Sequence, residues 1–148
     1  MPSPMELALI EAEAAAAMGE VPVGAVLVDG STGALIAAAG NRVESLNDPT
    51  AHAEMLVLRE AAAHRKSPRL EDCDLYVTLE PCAMCAAAIS FARVRRLYFG
   101  AYDPKGGAVE HGARFFDLAT CHHKPELYGG IDEARASALL KDFFARRR

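Results

Sequence analysis

Residues 75–89 read LYVTLEPCAMCAAAI. The opening LYVTL has the apolar, β-branched and aromatic composition of a strand, and the small apolar residues at the end favour a helix. Pro81 lies between them, where the first turn of a helix favours proline. A strand that leads directly into a helix is typical of layered α/β domains, and here two cysteines, Cys82 and Cys85, stand at the junction.

The rest of the chain continues the alternation of strands and helices. VPVGAVLV and ALIAAAG are strand-like runs on either side of DGSTG, a turn signal typical of a hairpin. Strands after an opening hairpin that alternate with helices predict an α/β domain with a mixed sheet, and we expect residues 1–148 to form one domain. The predicted strands span 21–28, 34–40, 75–79 and 96–101, and the predicted helices span 4–18, 51–64, 82–92 and 131–148.

Several residues predict details of these helices. Leu7, Ile10 and Ala14 fall at helical spacing in the first helix. Thr50 is predicted as the N-cap of the second helix because its hydroxyl can accept a hydrogen bond from the first turn. Asp132 is predicted to cap the last helix, which is amphipathic and has arginines near its C-terminus, where the helix dipole favours them.

Composition limits the class of protein. The chain has 148 residues, of which 51% are hydrophobic, so a folded domain with its own core is expected. Four locally clustered cysteines suit metal or redox use in a reducing compartment better than a disulfide scaffold. The Ala-rich start lacks the basic region of a signal peptide, and the uncharged run at 81–92 is too short for a membrane helix. We therefore expect a soluble cytoplasmic protein.

Charge is distributed unevenly along the chain. A net charge of −4 argues against indiscriminate binding of nucleic acid, and residues 1–40 contain no lysine or arginine. The basic residues have two possible interpretations. They are either ordinary solvated surface charge or a rim of phosphate contacts on both sides of a binding pocket. Two small basic clusters stand out: Arg93, Arg95 and Arg96, and the terminal Arg146, Arg147 and Arg148.

The two cysteines lack the second C-x-x-C that would complete a four-cysteine zinc site. His52, which precedes Cys82 by 30 residues, adds a third N/S ligand, and zinc is the best match for one imidazole and two thiolates. Structural zinc sites are closed by four protein ligands, whereas catalytic sites keep a position for water, so three ligands predict hydrolytic chemistry. A thioredoxin-like dithiol and a purely structural zinc site are the alternatives.

Glu54 lies two residues after His52. Residues two apart point to nearly opposite sides inside a helix, but both could converge on a metal beyond the helix N-terminus. Cys82 and Cys85 share one face of the first turn of their helix, so two helix N-termini would point at one ion and favour thiolates. A free carboxylate beside a zinc-activated water can move protons, and this is the role predicted for Glu54.

H-x-E followed by P-C-x-x-C is the known signature of zinc-dependent nucleobase deaminases. The sequence resembles the bacterial tRNA-specific adenosine deaminases over nearly its whole length. The two motifs identify the superfamily of zinc-dependent deaminases, and the residues around them resemble the tRNA-editing branch of it. The matching stretches are EVPVGAVLV (20–28), GNR (40–42), DPTAHAE (48–54), LYVTLEPCAMCAAAI (75–89), YFGAYD (98–103) and DFFARRR (142–148).

The resemblance implies a three-layer α/β/α cytidine-deaminase-like fold with a central mixed sheet, and a homodimer. The implied reaction is hydrolytic deamination of adenosine to inosine at the wobble position of a tRNA anticodon stem-loop. In this reaction a zinc-bound hydroxide attacks C6, Glu54 shuttles protons and ammonia leaves. One Zn²⁺ per chain would be held by His52, Cys82 and Cys85.

The resemblance also implies contacts with the substrate. Asn41 matches a pocket amide that hydrogen-bonds the purine or its ribose, with a turn residue as its alternative role. Asp103 matches a position near the RNA backbone, where a carboxylate accepts from a 2′-hydroxyl; DNA lacks that group and is not expected as a partner. The alternative for Asp103 is a turn acid. Contacts with backbone phosphates are predicted for Arg146, Arg147 and Arg148.

The other cysteines and histidines are not expected to bind metal, and two other functions are compatible with the motifs. Cys121, His122 and His123 are consecutive and cannot easily face one ion together, and Cys73 is expected to be a small buried residue. A deaminase of a free nucleobase or nucleoside, such as guanine or cytosine, would share the catalytic residues and differ only at the pocket rim. A zinc-stabilised binding module without activity would have no need of Glu54 beside the metal.

Overall fold

The computed structural model describes residues 1–147, and a five-stranded mixed sheet forms its centre. The strand order is β2-β1-β3-β4-β5, in which β1 pairs antiparallel with β2 and β3, whereas β3, β4 and β5 are parallel. The predicted opening hairpin and mixed sheet are confirmed. The strands are β1 (Gly24–Asp29), β2 (Leu35–Gly40), β3 (Cys73–Leu79), β4 (Arg96–Ala101) and β5 (Glu126–Tyr128).

Helices cover both faces of the sheet. They are α1 (Pro4–Ala17), α2 (Val43–Leu46), α3 (Ala53–Arg65), α4 (Ala83–Ala92) and α5 (Glu133–Ala145), with one turn of 3₁₀ helix at Phe115–Asp117. Side chains alternate across a strand, so Ala25 and Leu27 of β1 pack with α3 and α4, while Val26 packs with α1 and α5. This is the predicted three-layer α/β/α fold. Within residues 1–147, no helix has the length and apolar character needed to cross a membrane.

The spacing chosen for α1 does not mark its buried face. Ile10 is 54% exposed and Ala14 is also exposed. Small residues form the buried stripe because α1 lies directly against Gly24 of β1, where an added Cβ would collide with the Ala8 carbonyl oxygen. The buried residues of α1 are Met5, Ala8, Leu9, Ala12 and Ala15.

The prediction of Thr50 as an N-cap is wrong. The N-cap of α3 is His52, whose side chain makes no capping hydrogen bond. Thr50 instead belongs to a turn in which the Asp48 carboxylate accepts from its backbone N–H and its hydroxyl, at 2.8 and 2.7 Å. The first N–H of α3, on Ala53, donates to Asn41 Oδ1 at 2.8 Å. A side chain from the end of β2 therefore caps α3.

Two further helix starts differ from the predictions. Pro81 precedes Cys82, the N-cap of α4, and so stands just outside the helix instead of in its first turn. Asp132 occupies the N-cap position of α5, but its backbone is left-handed (φ 54°) and its side chain makes no capping bond. The sequence also gave no signal for α2 or β5.

Candidate active site

Two helix N-termini meet at one point beside the sheet. His52 is the N-cap of α3, Cys82 is the N-cap of α4, and Cys85 is the third residue of α4. His52 Nδ1 lies 3.6 Å from Cys82 Sγ and 3.4 Å from Cys85 Sγ. Neither N-cap side chain makes a capping hydrogen bond. The structure thus brings together the three residues that the spacing singled out.

The geometry of this cluster fits zinc. In a tetrahedral site with Zn–N near 2.0 Å and Zn–S near 2.3 Å, a nitrogen and a sulfur ligand are about 3.5 Å apart. The observed separations of 3.4 and 3.6 Å agree with this value. Within residues 1–147, no other group of three or more His, Cys, Asp or Glu side chains has ligand atoms close enough to share an ion. Three ligands leave a fourth position for water.

The two thiols differ in how easily they lose a proton: the hydrogen bond with Cys82 and burial raise the pKa of Cys85, whereas Cys82 is prepared for metal binding. Hydrogen bonds from Cys85 and His52 together lower the pKa of Cys82 to about 4, against the opposing effect of burial. The N-terminal ends of α3 and α4 also favour negative charge at this position. Since the thiolate is the form that binds metal, Cys82 needs little free energy to lose its proton.

Glu54 is buried beside the cluster without belonging to it. It is the second residue of α3 and is 3% exposed. Its Oε1 atom is buried and has no hydrogen-bond partner within the described chain. Burial raises the pKa of Glu54 to about 7. A buried carboxylate oxygen is costly to leave without a partner, so Glu54 is suited to bond a group that enters the site.

A cavity of about 310 Å³ opens onto these groups. This volume is at the lower end of the range for small-molecule sites, about 300–1,000 Å³. The cavity lies where β3 and β4 end, which is the edge at which α/β sheets place their ligands. Its lining includes Val21, Asn41, His52, Glu54, Cys82 and Asp103.

Asn41 has a structural role in addition to its place in the cavity. Its Oδ1 accepts from the Ala53 N–H at 2.8 Å and thereby holds the start of α3. The side-chain NH₂ forms no hydrogen bond to another group of residues 1–147, so it is available as a donor at the cavity surface. Asn41 is therefore more than a turn residue, which was the alternative considered for it.

Asp103 combines the two roles considered for it. Its Oδ1 accepts from the backbone N–H groups of Lys105 at 3.2 Å and Gly106 at 3.0 Å, which is the turn role. The residue also lines the cavity. Its contact with RNA stays a prediction.

The terminal arginines differ in position. The Arg147 guanidinium lies 3.7 Å from the centroid of the Phe143 ring, and both residues line a second pocket of about 460 Å³. This pocket shares Asn41 and His52 with the first cavity, so the two are adjacent. Arg146 pairs instead with Asp142 at 3.3 Å. Arg148 lies outside the described residues.

The second basic cluster does not bracket the cavity. Arg95 makes two hydrogen bonds to Asp74, at 2.9 and 2.8 Å, and Arg96 contacts Glu126 at 3.4 Å. In the parallel pairing of β3 with β4, Asp74 lies beside Arg96 near the beginnings of the two strands. The cavity lies at the opposite end, where these strands end. Arg93 follows the C-terminus of α4, whose N-terminus holds the cysteines. The hypothesis of a phosphate rim is wrong for this cluster.

The other metal-like residues have structural contacts. Cys121 Sγ lies 3.5 Å from Ser90 Oγ, and His123 Nε2 donates to the Val94 carbonyl at 2.7 Å. Within the described chain, Cys121, His122 and His123 form no group able to share an ion. Cys73 is fully buried, and burial raises the pKa of its thiol to about 12, so it behaves as a small core residue.

Two buried glutamates near the cavity received no role from the sequence. Glu20 accepts from the N–H groups of Glu44 at 3.1 Å and Ser45 at 2.7 Å and so fixes the start of α2. Glu80 accepts from the loop after β4; burial opposes its ionisation, but bonds from Asp103 and other loop residues hold its pKa below the usual value. Each of these glutamates stands next to an apolar strand in the sequence, and this position could have identified them. A charge that is buried there needs several hydrogen-bond partners, so such a residue is expected to have a structural or functional role.

Comparison with known proteins agrees with the site. A family model described as the cytidine and deoxycytidylate deaminase zinc-binding region matches residues 3–101, so fold and site define a zinc-dependent deaminase. The tRNA-specific adenosine deaminase of Agrobacterium fabrum (strain C58) is 58% identical over 97% of this chain and 93% of its own length. The chain belongs to the tRNA-specific adenosine deaminase family. Zinc, the predicted cofactor, is thereby confirmed.

Solved structures show the same relationship. One from a study of A-to-I editing by tRNA:A34 deaminases at the wobble position of transfer RNA is 59% identical, with a TM-score of 0.90 over 93% of this chain and 98% of that one. A guanine deaminase from Nitrosomonas europaea is 26% identical, with a TM-score of 0.79 over 96% of this chain and 83% of that one. The architecture is shared, while the sequence is much closer to the tRNA deaminases.

Proposed function

We propose that this protein hydrolytically deaminates adenosine to inosine at the wobble position of a tRNA anticodon. One observation carries the proposal: His52 and Cys82 of the metal cluster line a base-sized cavity together with Glu54, a buried carboxylate of which one oxygen has no hydrogen-bond partner within residues 1–147. The identity of 58% to a tRNA-specific adenosine deaminase supports the choice of substrate within the superfamily.

The reaction replaces the amino group at C6 with oxygen and releases ammonia. Zinc, when held by His52, Cys82 and Cys85, makes a water molecule nucleophilic at neutral pH. Glu54 takes a proton from the attacking water and delivers it to the departing amine, since Glu54 lines the cavity in which both groups would meet. The burial of Glu54 keeps bulk water away from this transfer.

The cavity volume of about 310 Å³ accommodates one base. The target nucleotide must therefore leave its stack and enter the cavity alone. Asn41 donates its NH₂ to the purine or its ribose, and Asp103 accepts from a 2′-hydroxyl of the RNA. The adjoining pocket, with Arg147 over Phe143, offers a cation and an aromatic face to a neighbouring nucleotide of the anticodon stem-loop.

Assembly and location follow from the same proposal. Phe91 is 75% exposed beside an apolar depression formed by α3 and α4, and a patch of this kind suits the homodimer. Residues 1–148 act as one domain, since all five strands of the described chain join a single sheet. A tRNA substrate places the enzyme in the cytoplasm.

The test compares substrates directly. Purified protein should form inosine in a defined anticodon stem-loop and leave free adenosine and free guanine nearly unchanged. Free guanine deamination is the specific alternative, because a guanine deaminase shares the fold with a TM-score of 0.79. Efficient turnover of guanine or cytosine with no reaction on the stem-loop would establish that alternative and overturn the proposal.

Arg147→Ala is expected to weaken stem-loop binding and to flatten its salt dependence. Each phosphate contact with a single strand contributes about 0.7 to the slope of log K against log [salt], so the slope should fall by about that amount. Binding measured at several salt concentrations checks this, and turnover at saturating RNA should change little. Arg146→Ala is the matched control because Arg146 already pairs with Asp142. Equal effects of the two variants would contradict the assignment to Arg147.

Asn41→Asp separates the two roles of Asn41. Aspartate keeps an oxygen that accepts from the Ala53 N–H, so the melting temperature should stay near that of the parent protein. It lacks the NH₂ donor, so deamination of the stem-loop should fall. Asn41→Ala should lose both roles, with an additional stability cost of about 1 kcal/mol. Full activity of Asn41→Asp would remove Asn41 from the substrate contacts.

A further inference from the structure

The loop after β4 is attached to the metal-binding segment through one side chain. We define residues 103–111 as the wall loop. Glu80 Oε2 accepts from the N–H groups of Val109 at 3.1 Å, Glu110 at 2.9 Å and His111 at 3.1 Å. Glu80 Oε1 accepts from the Asp103 N–H at 3.0 Å and from His111 Nδ1 at 2.8 Å. One carboxylate therefore binds both ends of the wall loop.

The contact between Glu80 and the wall loop is closely packed. The Glu80 side chain is 0% exposed, so its charge depends entirely on these partners. Gly107 passes so close that an added Cβ would lie 2.5 Å from Glu80 Cδ. The Ala108 N–H also donates to the Pro81 carbonyl at 2.9 Å. The wall loop is thus held by hydrogen bonds to residues 80 and 81, which immediately precede the zinc ligand Cys82.

The wall loop forms one side of the base-sized cavity. Asp103 and Gly106 line it opposite residues of α3, and Asp103 is the proposed contact to the 2′-hydroxyl. The distance between this wall and the metal cluster is set by the attachment at Glu80. The proposed hydrogen bond from the substrate to Asp103 depends on this distance, so a shift of the wall loop would weaken the binding of the substrate.

We infer that Glu80 is a positioning residue, which fixes the substrate-contacting wall loop relative to Cys82 through its buried hydrogen bonds. The inference rests on the proposed function for its kinetic consequence. Glu80 lines the cavity, but five hydrogen bonds to the protein occupy both oxygens of its carboxylate, so its role is to hold the wall loop. Its loss should therefore affect how substrate is held more than how protons are transferred.

Glu80→Gln tests the inference with the side-chain volume unchanged. A glutamine has one acceptor oxygen, so its NH₂ must face the N–H of Asp103 or the three N–H groups of residues 109–111. We expect KM for the stem-loop to rise about tenfold while kcat changes by less than about threefold and zinc content is unchanged. An unchanged KM, or loss of zinc, would overturn the inference.

Asp74→Asn is the matched control. Asp74 is also a buried carboxylate, but it lies at the beginning of β3 and pairs with Arg95, whereas Glu80 follows the end of that strand. This variant should lower the melting temperature and leave KM unchanged. If it raises KM as much as Glu80→Gln does, the effect is general destabilisation and the positioning role is refuted.

Hydrogen exchange supplies a readout that needs no RNA. One end of the wall loop should exchange faster in Glu80→Gln, either the Asp103 amide or the amides of Val109, Glu110 and His111, whereas amides of β1 should not. If Glu80→Gln does not fold, His111→Ala removes one bond from a side chain that is 34% exposed and should show a smaller rise in KM and in exchange. Unchanged exchange refutes the attachment. Failure of the parent protein to act on the stem-loop refutes the proposed function, while the exchange result still decides the attachment.

Discussion

Cys82→Ala is expected to empty the metal centre and abolish deamination. The two remaining ligands, His52 and Cys85, cannot hold zinc tightly, because structural and catalytic sites use at least three protein ligands. Zinc content should fall from about one per chain to near zero, as measured by elemental analysis of purified protein. Cys85→Ala and His52→Ala should behave in the same way, since each contributes one atom of a single cluster.

Metal removal should also reduce stability. A ligand that binds only the folded state stabilises it by mass action, so a chelator should lower the melting temperature of the parent protein. The Cys82→Ala variant should not respond to the chelator. Cys121→Ala is the matched control, since Cys121 contacts Ser90 and belongs to no metal group within residues 1–147. Two zincs per chain, or loss of zinc from Cys121→Ala, would show that the wrong cluster was chosen.

The metal cluster could be predicted because its chemistry is local. Cys82 and Cys85 occupy the start of one helix, and His52 occupies the start of another, so each motif carries its own backbone geometry. The strands β3 and β4 were predictable for a related reason. Their runs are apolar, β-branched and aromatic, and turn or cap signals bound them on both sides. Such patterns are set by residues adjacent in sequence.

The elements that were missed depend on contacts distant in sequence. The alanine stripe of α1 is buried because Gly24 allows close approach, and alanine carries little hydrophobic signal of its own. Strand β5 has three residues, two of them exposed, and it is held by pairing with β4 at the sheet edge. Propensity alone cannot find a strand of this length, because its stability comes from its neighbour.

The same limit applies to charged residues around the cavity. Arg95 and Arg147 look alike in the sequence, yet one is bound to Asp74 far from the site and the other lines the adjoining pocket. Glu80 stands inside the conspicuous motif TLEPC but acts through backbone groups 23 to 31 positions away. A sequence shows that a buried charge needs partners. The fold determines which groups supply them.

Glu54→Gln is expected to lower the rate of deamination by about 10²–10⁴-fold, the usual scale of general acid–base catalysis. Glutamine keeps the shape of the side chain but cannot take a proton from water and pass it to the leaving amine. Zinc should stay bound, since Glu54 is outside the three-ligand cluster. Single-turnover assays on the stem-loop, with zinc measured in the same preparations, check this expectation, and Glu54→Ala should show a loss of similar size.

Stability should move in the direction opposite to activity. Glu54 Oε1 is buried without a partner in the described chain, so the ionised carboxylate is costly to the folded protein. Removing the charge in Glu54→Gln should leave the free energy of unfolding unchanged or raise it, which is typical of residues kept for function. A variant that loses zinc together with activity would make Glu54 a fourth ligand. The site would then be closed, and the hydrolytic mechanism would fail.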